Sequence, residues 1–202
     1  MKSDFTGFVL AGGKSSRMGT EKHALEIDGE TFLMRAVNVL KPACETVKIV
    51  LNQTQTLETS LPIVRDIYPS RGALGGIHAA LKNCETKFAI ILAVDLPLVT
   101  TAAIENLAAF ALSANRYVGF IPRQTDGRPQ PLCAVYRARY CLPALEKLLG
   151  ETDSASVRDF LELITPKYIE ASRLSEDENL LFNVNFPAEY EKINGSQLRL
   201  RH

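Results

Sequence analysis

Phe88-Ala-Ile-Ile-Leu-Ala-Val94 is apolar at every position, and it runs straight into Asp95-Leu-Pro97. A half-buried strand would alternate apolar and polar residues, whereas a strand apolar on both sides must be covered on both faces. That points to a parallel sheet sandwiched between helices. Working outward, short apolar runs at Phe5 to Leu10 and Val47 to Leu51 alternate with amphipathic stretches at Phe32 to Leu40, Gly75 to Leu81 and Ile104 to Leu112. The alternation is that of βαβ units. After Asn115 the pattern changes to a strand-like Tyr117 to Ile121, a polar turn Gln124-Thr-Asp-Gly127 and a second apolar segment Leu132 to Tyr136. The fold class read from these segments is α/β, a doubly wound, mostly parallel, Rossmann-like sheet with an antiparallel excursion in the C-terminal half. Helix starts are expected at Thr100 or Thr101, and at Asp153 or Ser154 ahead of Val157 to Ile164, where side-chain oxygens meet free N–H groups.

The chain has 202 residues with 46% hydrophobic content, enough for one well-buried core. No repeat or Gly/Ser-rich linker divides it, so residues 1–194 are expected to form a single domain and 195–202 a loose tail. Lys plus Arg and Asp plus Glu both number 23, so no whole-chain field draws nucleic acid or anionic lipid, and the expected partner is a small molecule. Cys44, Cys84, Cys133 and Cys141 are widely spaced, without C-x-x-C pairs or zinc-like histidine spacing. The N-terminus lacks a long apolar segment and no run is long enough to span a bilayer, so the expected setting is the cytoplasm, with reduced thiols.

The first strand leads into Leu10-Ala-Gly-Gly-Lys-Ser-Ser-Arg-Met-Gly19, followed by Lys22. Such a loop stands at the carboxyl end of a central strand, where open α/β sheets bind ligands. Gly12 and Gly13 let backbone N–H groups approach phosphate oxygens, and Lys14, Arg17 and Lys22 surround them with positive charge. A P-loop is excluded because Gly13-Lys14-Ser15 would require glycine where Phe8 stands, and no G-x-G occurs here. A solvated βα turn remains the alternative.

Asp95 stands where the 88–94 strand leaves the sheet, on the same edge, and is a natural Mg2+ ligand, because magnesium takes one or two carboxylates and completes its shell with phosphate and water. Taken alone it could equally cap a turn before proline. Arg65-Asp66 closes another short apolar strand, and Arg71-Gly-Ala-Leu-Gly-Gly-Ile77 opens a helix. Gly75 and Gly76 permit either close ligand approach or tight helix–sheet packing. Asn52 offers donors and an acceptor to a base or ribose, or is an ordinary turn residue. His23, His78 and His202 are scattered and form no nucleophilic pattern; His78 reads as a plain helix residue.

The order of these motifs, together with Asp126-Gly-Arg-Pro-Gln-Pro-Leu132 and Phe182-Asn-Val-Asn-Phe-Pro187, resembles the molybdenum cofactor guanylyltransferase (MobA) family over nearly the whole chain. The glycine loop marks the wider nucleotidyltransferase superfamily, and the two C-terminal motifs mark the narrower family. The resemblance implies transfer of GMP from GTP to the phosphate of Mo-molybdopterin, with pyrophosphate released and Mg2+ required. It implies nucleotide contacts at Leu10, Ala11, Gly12, Gly13, Lys22, Asn52, Asp66, Gly75 and Asp95, with Asp95 the metal ligand and Arg17, Lys22 and Asp95 catalytic. Asp126, Arg128, Gln130, Pro131, Asn183 and Asn185 fall on the acceptor side. The N-terminal half would thus bind nucleotide and the C-terminal half the pterin. Contact with molybdoenzymes or cofactor-synthesis proteins would be transient.

Four positions depart from the family's pattern: Glu21, Ala73, Val94 and Phe186 stand where it usually has aspartate, proline, cysteine and threonine. Phe186 matters most, since it removes a hydroxyl and adds bulk beside the expected acceptor. A cytidylyltransferase acting on the same pterin is the neighbouring reading, but it tends to carry L-A-A-G in the first motif. Gly12 is expected to favour guanine because a larger base needs closer backbone approach. A non-catalytic nucleotide and pterin carrier is the reading from another class, and the joint presence of Arg17, Lys22 and Asp95 argues against it.

Overall fold

The structure is a computed structural model and describes residues 2–12, 22–68 and 70–195. Seven strands form one sheet in the order β5-β4-β1-β6-β8-β7-β9, from β1 (Phe5–Leu10), β4 (Thr46–Leu51), β5 (Ile63–Arg65), β6 (Phe88–Ala93), β7 (Gly119–Arg123), β8 (Cys133–Arg137) and β9 (Lys167–Glu170). Every β1 and β6 residue is buried, as a strand apolar on both faces requires. Only β8 runs against its neighbours, antiparallel to both β6 and β7, while β7 and β9 pair in parallel. The expected antiparallel excursion is therefore this one strand, and both halves of the chain share a single sheet.

Helices α1 (Phe32–Leu40) and α3 (Thr101–Ser113) pack together, and α2 (Ala73–Lys82) packs with α4 (Ala138–Glu151), which in turn meets α5 (Val157–Ile164). The chain moves outward from β1 to β4 and β5, then crosses back past β1 to β6. Right-handed crossovers in opposite directions put helices on opposite faces of the sheet. A small hairpin of β2 (Glu26–Ile27) and β3 (Glu30–Thr31) turns through Asp28 and Gly29, both at positive φ. The last helix, α6 (Pro187–Asn194), returns to this hairpin: the Tyr190 hydroxyl donates to the Glu26 carbonyl at 2.7 Å and its ring meets Phe32.

Several local expectations are corrected. Thr100 caps α3 as expected, but α5 is capped by Ser156 in a reciprocal bond with Asp159, and Asp153 instead pairs with Arg71. A capping box satisfies two orphan N–H groups, which a lone Asp or Ser upstream cannot match. Strand β7 begins at Gly119, two residues later than the apolar pattern suggests, and β6 ends at Ala93 rather than Val94. Gly195 belongs to the end of α6, where its N–H donates to the Glu191 carbonyl; the remainder of the expected tail lies outside the described residues. All four cysteines are free thiols, and no described helix is long and apolar enough to cross a membrane.

Candidate active site

Register decides where the site lies. Leu10 of β1 is level with Val50 of β4 and Ala93 of β6, and Leu51 is level with Arg65 of β5. The residues that follow, Ala11, Asn52, Asp66 and Asp95, therefore leave the sheet along one edge. In the sheet, β1 leads on to β4 on one side and β6 leads on to β7 on the other, and the crevice above such a switch point is where open α/β sheets take ligands. A cleft of about 880 Å3 occupies it, bordered by Gly12, Lys22, Asn52, Asp66, Gly76 and Asp95 among others. Because β8 is antiparallel to β6, Leu92 faces Cys133 at the start of β8, and Ala93 donates to the Leu132 carbonyl at 2.8 Å. Reversal of this strand is what delivers the segment before β8 to the same edge.

Gly12 borders the cleft and also has a packing role. The N–H groups of Ala11 and Gly12 both donate to the Val50 carbonyl, at 3.0 and 3.1 Å, so they extend the sheet instead of pointing at a phosphate. A Cβ at Gly12 would stand 3.0 Å from the Asn52 nitrogen and 3.3 Å from the Leu51 carbonyl carbon. The missing side chain thus admits the neighbouring backbone. Gly13, Lys14, Arg17 and Glu21 lie outside the described residues.

Asn52 is held in an Asx turn: its Oδ1 accepts from Thr54 N–H at 3.0 Å, Gln55 N–H at 2.9 Å and the Thr54 hydroxyl at 3.1 Å. Its acceptor is spent on the loop, so only its Nδ2 donors could serve a ligand. Asp66 is buried; its Oδ1 accepts from Tyr68 N–H at 2.7 Å, and its own N–H donates to the Leu51 carbonyl. Burial pushes its carboxyl above the ordinary range, against the lowering effect of the Tyr68 N–H and of nearby His78. Gly75 does not border the cleft. A Cβ there would overlap the Asp66 carboxylate, so packing, the second of the two readings open from sequence, describes Gly75. Gly76 does border the cleft, beside Leu10.

Asp95 and Lys22 form the polar centre. Lys22 Nζ donates to Asn185 Oδ1 at 2.7 Å and lies 3.5 Å from Asp95 Oδ2. Asp95 Oδ1 is buried and has no hydrogen-bond partner among the described residues. Burial raises the Asp95 carboxyl pKa, opposed by the Lys22 ammonium and, more weakly, by the Asn183 side chain. Val184 N–H donates to the Asp95 carbonyl at 2.8 Å, and Gln130 Nε2 donates to Asn183 Oδ1 at 2.7 Å. The buried, unpaired oxygen of a carboxylate beside a cleft is a donor suited to a hard cation. Sequence placed Gln130, Asn183 and Asn185 with an acceptor; the structure gathers them around Asp95 and Lys22.

Other expected acceptor residues make local contacts. Asp126 and Arg128 lie on an exposed turn, where Arg128 Nε donates to Asp126 Oδ2 at 2.6 Å and its NH2 group to Gln124. The Pro131 carbonyl accepts from the Tyr136 hydroxyl at 2.8 Å. Phe186, 47% exposed, is the N-cap of α6. Phe186 offers no capping oxygen to the first turn, and the Glu189 carboxylate accepts from the Asn185 and Phe186 N–H groups at 2.5 and 3.0 Å. His78 is a buried helix residue, edge-on to Tyr68 and 3.5 Å from Glu146. Sequence reasoning missed Arg71. Its guanidinium ties the loop before α2 to the end of α4 through the carbonyls of Leu149 and Thr152 and the Asp153 carboxylate. The only sequence signal was a basic residue ahead of a glycine-rich helix start.

Comparison with known proteins agrees with this geometry. The model of the MobA-like NTP transferase domain matches residues 7–170. A probable molybdenum cofactor guanylyltransferase of Clostridium perfringens is 31% identical over 191 residues, covering 92% of this chain and 93% of the relative. Another, of Carboxydothermus hydrogenoformans, is 32% identical over 197 residues, covering 94% and 95%. The crystal structure of molybdopterin-guanine dinucleotide biosynthesis protein A from Archaeoglobus fulgidus superposes with a TM-score of 0.79 at 21% identity, covering 96% of this chain and all of that one, a likeness of fold. With the family model spanning both the glycine-loop strand and the antiparallel half, the chain belongs to the MobA-like NTP transferase family and is a nucleotidyltransferase.

Proposed function

We propose that the protein transfers GMP from GTP to the terminal phosphate of molybdopterin, giving the guanine dinucleotide form and pyrophosphate. The observation that carries this reading is the convergence of Asp95, Lys22 and the 183–185 segment at one end of a cleft large enough for a nucleotide. The relatives' names supply the guanine and the pterin.

In the proposed reaction an acceptor phosphate oxygen attacks the α-phosphorus in line, a P–O bond forms, and the α–β bridging P–O bond breaks to release pyrophosphate. Two anions must meet, so the protein's task is positioning and neutralisation of charge. Asn52 and Asp66 sit at the far end of the cleft from Lys22, along the sheet edge, and would hold base or ribose. Lys22 would turn from Asp95 to the phosphates, joined by Arg17 from the glycine loop. Asp95 would hold Mg2+ through its unpaired Oδ1, and the ion would supply electrostatic stabilisation to the departing phosphates. The acceptor phosphate is already ionised near neutral pH and requires no general base. The acceptor would approach from the side of residues 126–131 and 183–185.

Purified protein mixed with Mg2+, molybdopterin and GTP or CTP in competition tests this. The guanine dinucleotide and pyrophosphate are expected in equal amounts, with CTP a poor substitute. Preference for CTP would overturn the base assignment, and binding without pyrophosphate release would favour a carrier. Asp95→Ala should abolish release, and Lys22→Ala should slow it by about a hundredfold or more.

A further inference from the structure

The 183–185 segment does more than border the cleft. It is pinned to the strand end that carries Asp95, through Val184 N–H to the Asp95 carbonyl, so its side chains are set relative to that carboxylate. Gln130, itself buried, donates to Asn183 Oδ1, which orients the Asn183 amide. Asn185 is fixed from behind, its N–H bound by the Glu189 carboxylate at the start of α6. Its own Oδ1 then takes the Lys22 ammonium at 2.7 Å, closer than the 3.5 Å that separates the ammonium from Asp95 Oδ2.

A lysine this near a buried carboxylate is its natural counter-ion and competes with any cation for it. Asn185 draws the ammonium aside without adding charge. It leaves Asp95 partly neutralised, with Oδ1 lacking a hydrogen-bond partner among the described residues, and holds the Lys22 ammonium closer to an amide than to the carboxylate. We propose that Asn185, fixed by Glu189, is a positioning residue that restrains Lys22 from closing on Asp95, keeping the carboxylate open to a divalent cation. The inference rests on the proposed role of Asp95 as cation ligand, but not on the identity of the base or the acceptor.

The test titrates Mn2+ alone into the full chain and reads bound cation from water-proton relaxation. It compares wild type, Asn185→Ala, Lys22→Met and the double variant. Asn185→Ala should weaken Mn2+ binding about three- to tenfold, because Lys22 then closes on Asp95, whereas the same substitution in the Lys22→Met background should change nothing. Asn185→Gln, which keeps the amide on a longer arm, should recover part of the affinity. An equal loss in both backgrounds would make Asn185 a ligand or a structural prop and overturn the proposal. So would no loss at all, or a wild-type affinity no better than that of Asp95→Ala. Since neither nucleotide nor acceptor enters the titration, a failed transfer assay and a failed cycle are separate results. In the transfer assay Asn185→Ala should lower kcat with the acceptor KM unchanged. A raised acceptor KM at unchanged kcat would return Asn185 to acceptor binding.

Discussion

The carboxylate of Asp66 occupies the space that a side chain at Gly75 would fill. A strand-end residue and a helix residue are thereby locked together, and the position of the acid beside the cleft depends on a missing methyl group nine residues later in the chain. Gly75→Ala should displace Asp66 and cost about 1–3 kcal/mol, as overpacking of a tight contact does. Chemical denaturation checks the stability, and nucleotide KM should rise in parallel. Gly76→Ala is the control: its Cβ would meet only the flexible end of Leu10, at 3.3 Å, so a smaller loss is expected.

Asp66 also predicts a pH dependence. Its pKa is raised in the folded protein, chiefly by burial, so the folded state holds this proton more tightly than the unfolded chain does. Its contribution to stability is greatest below the unfolded value and is lost as pH rises through the folded one. Asp66→Asn should therefore stabilise the fold at pH 7, and the gain should shrink as pH falls toward the ordinary aspartate value of 3.8. Thermal midpoints measured across that range check the sign. A gain that grew on acidification would contradict the burial argument.

Glu189 is expected to matter beyond its own helix. Its carboxylate holds the N–H groups of Asn185 and Phe186. Glu189→Ala should cost about 0.5–2 kcal/mol as a lost helix cap, and should slow transfer because Asn185 loses its anchor. A Phe186→Thr change supplies a capping hydroxyl and should offset part of the stability loss. Denaturation midpoints and kcat of the single and double variants make the comparison.

The cysteines should be quiet. Burial pushes the thiols of Cys44, Cys133 and Cys141 up to about 12, so almost no thiolate exists near neutral pH. A colourimetric thiol reagent should react quickly with at most Cys84 in the native protein and with all four after denaturation. Rapid reaction of more than one thiol in the native state would contradict the burial of these three.

The strands of the central sheet were readable because burial on both faces imposes a local rule: Phe88 to Ala93 is apolar throughout, and Phe5 to Leu10 is interrupted only by Thr6, whose hydroxyl meets that of Thr86 at 2.9 Å. Asp95 and Asp66 could be picked out because chemistry-bearing residues follow strand ends closely, and Lys22 because it follows the glycine loop. Helix α4 went unread, since Pro143 interrupts its pattern and its apolar residues follow β8 without a break. Arg137 shows a further limit. It is buried in β8 with its guanidinium on the carbonyls of Ala111, Ala114 and Tyr117, partners 20 to 26 residues away that no local pattern reveals.

By itself the sequence determined the α/β class, the motif order that marks the family, and which residue types carry charge at strand ends, because each follows from local periodicity or short-range spacing. Tertiary structure alone decided what those residues do to one another. Reversal of β8 and the return of α6 to the N-terminal hairpin bring Gln130, Asn183 and Asn185 onto Asp95 and Lys22, up to 163 residues apart in the chain. It also assigned Gly12 and Gly75 to the packing of backbone and carboxylate. Sheet register and side-chain excluded volume act across the fold, and they enter only when distant segments meet.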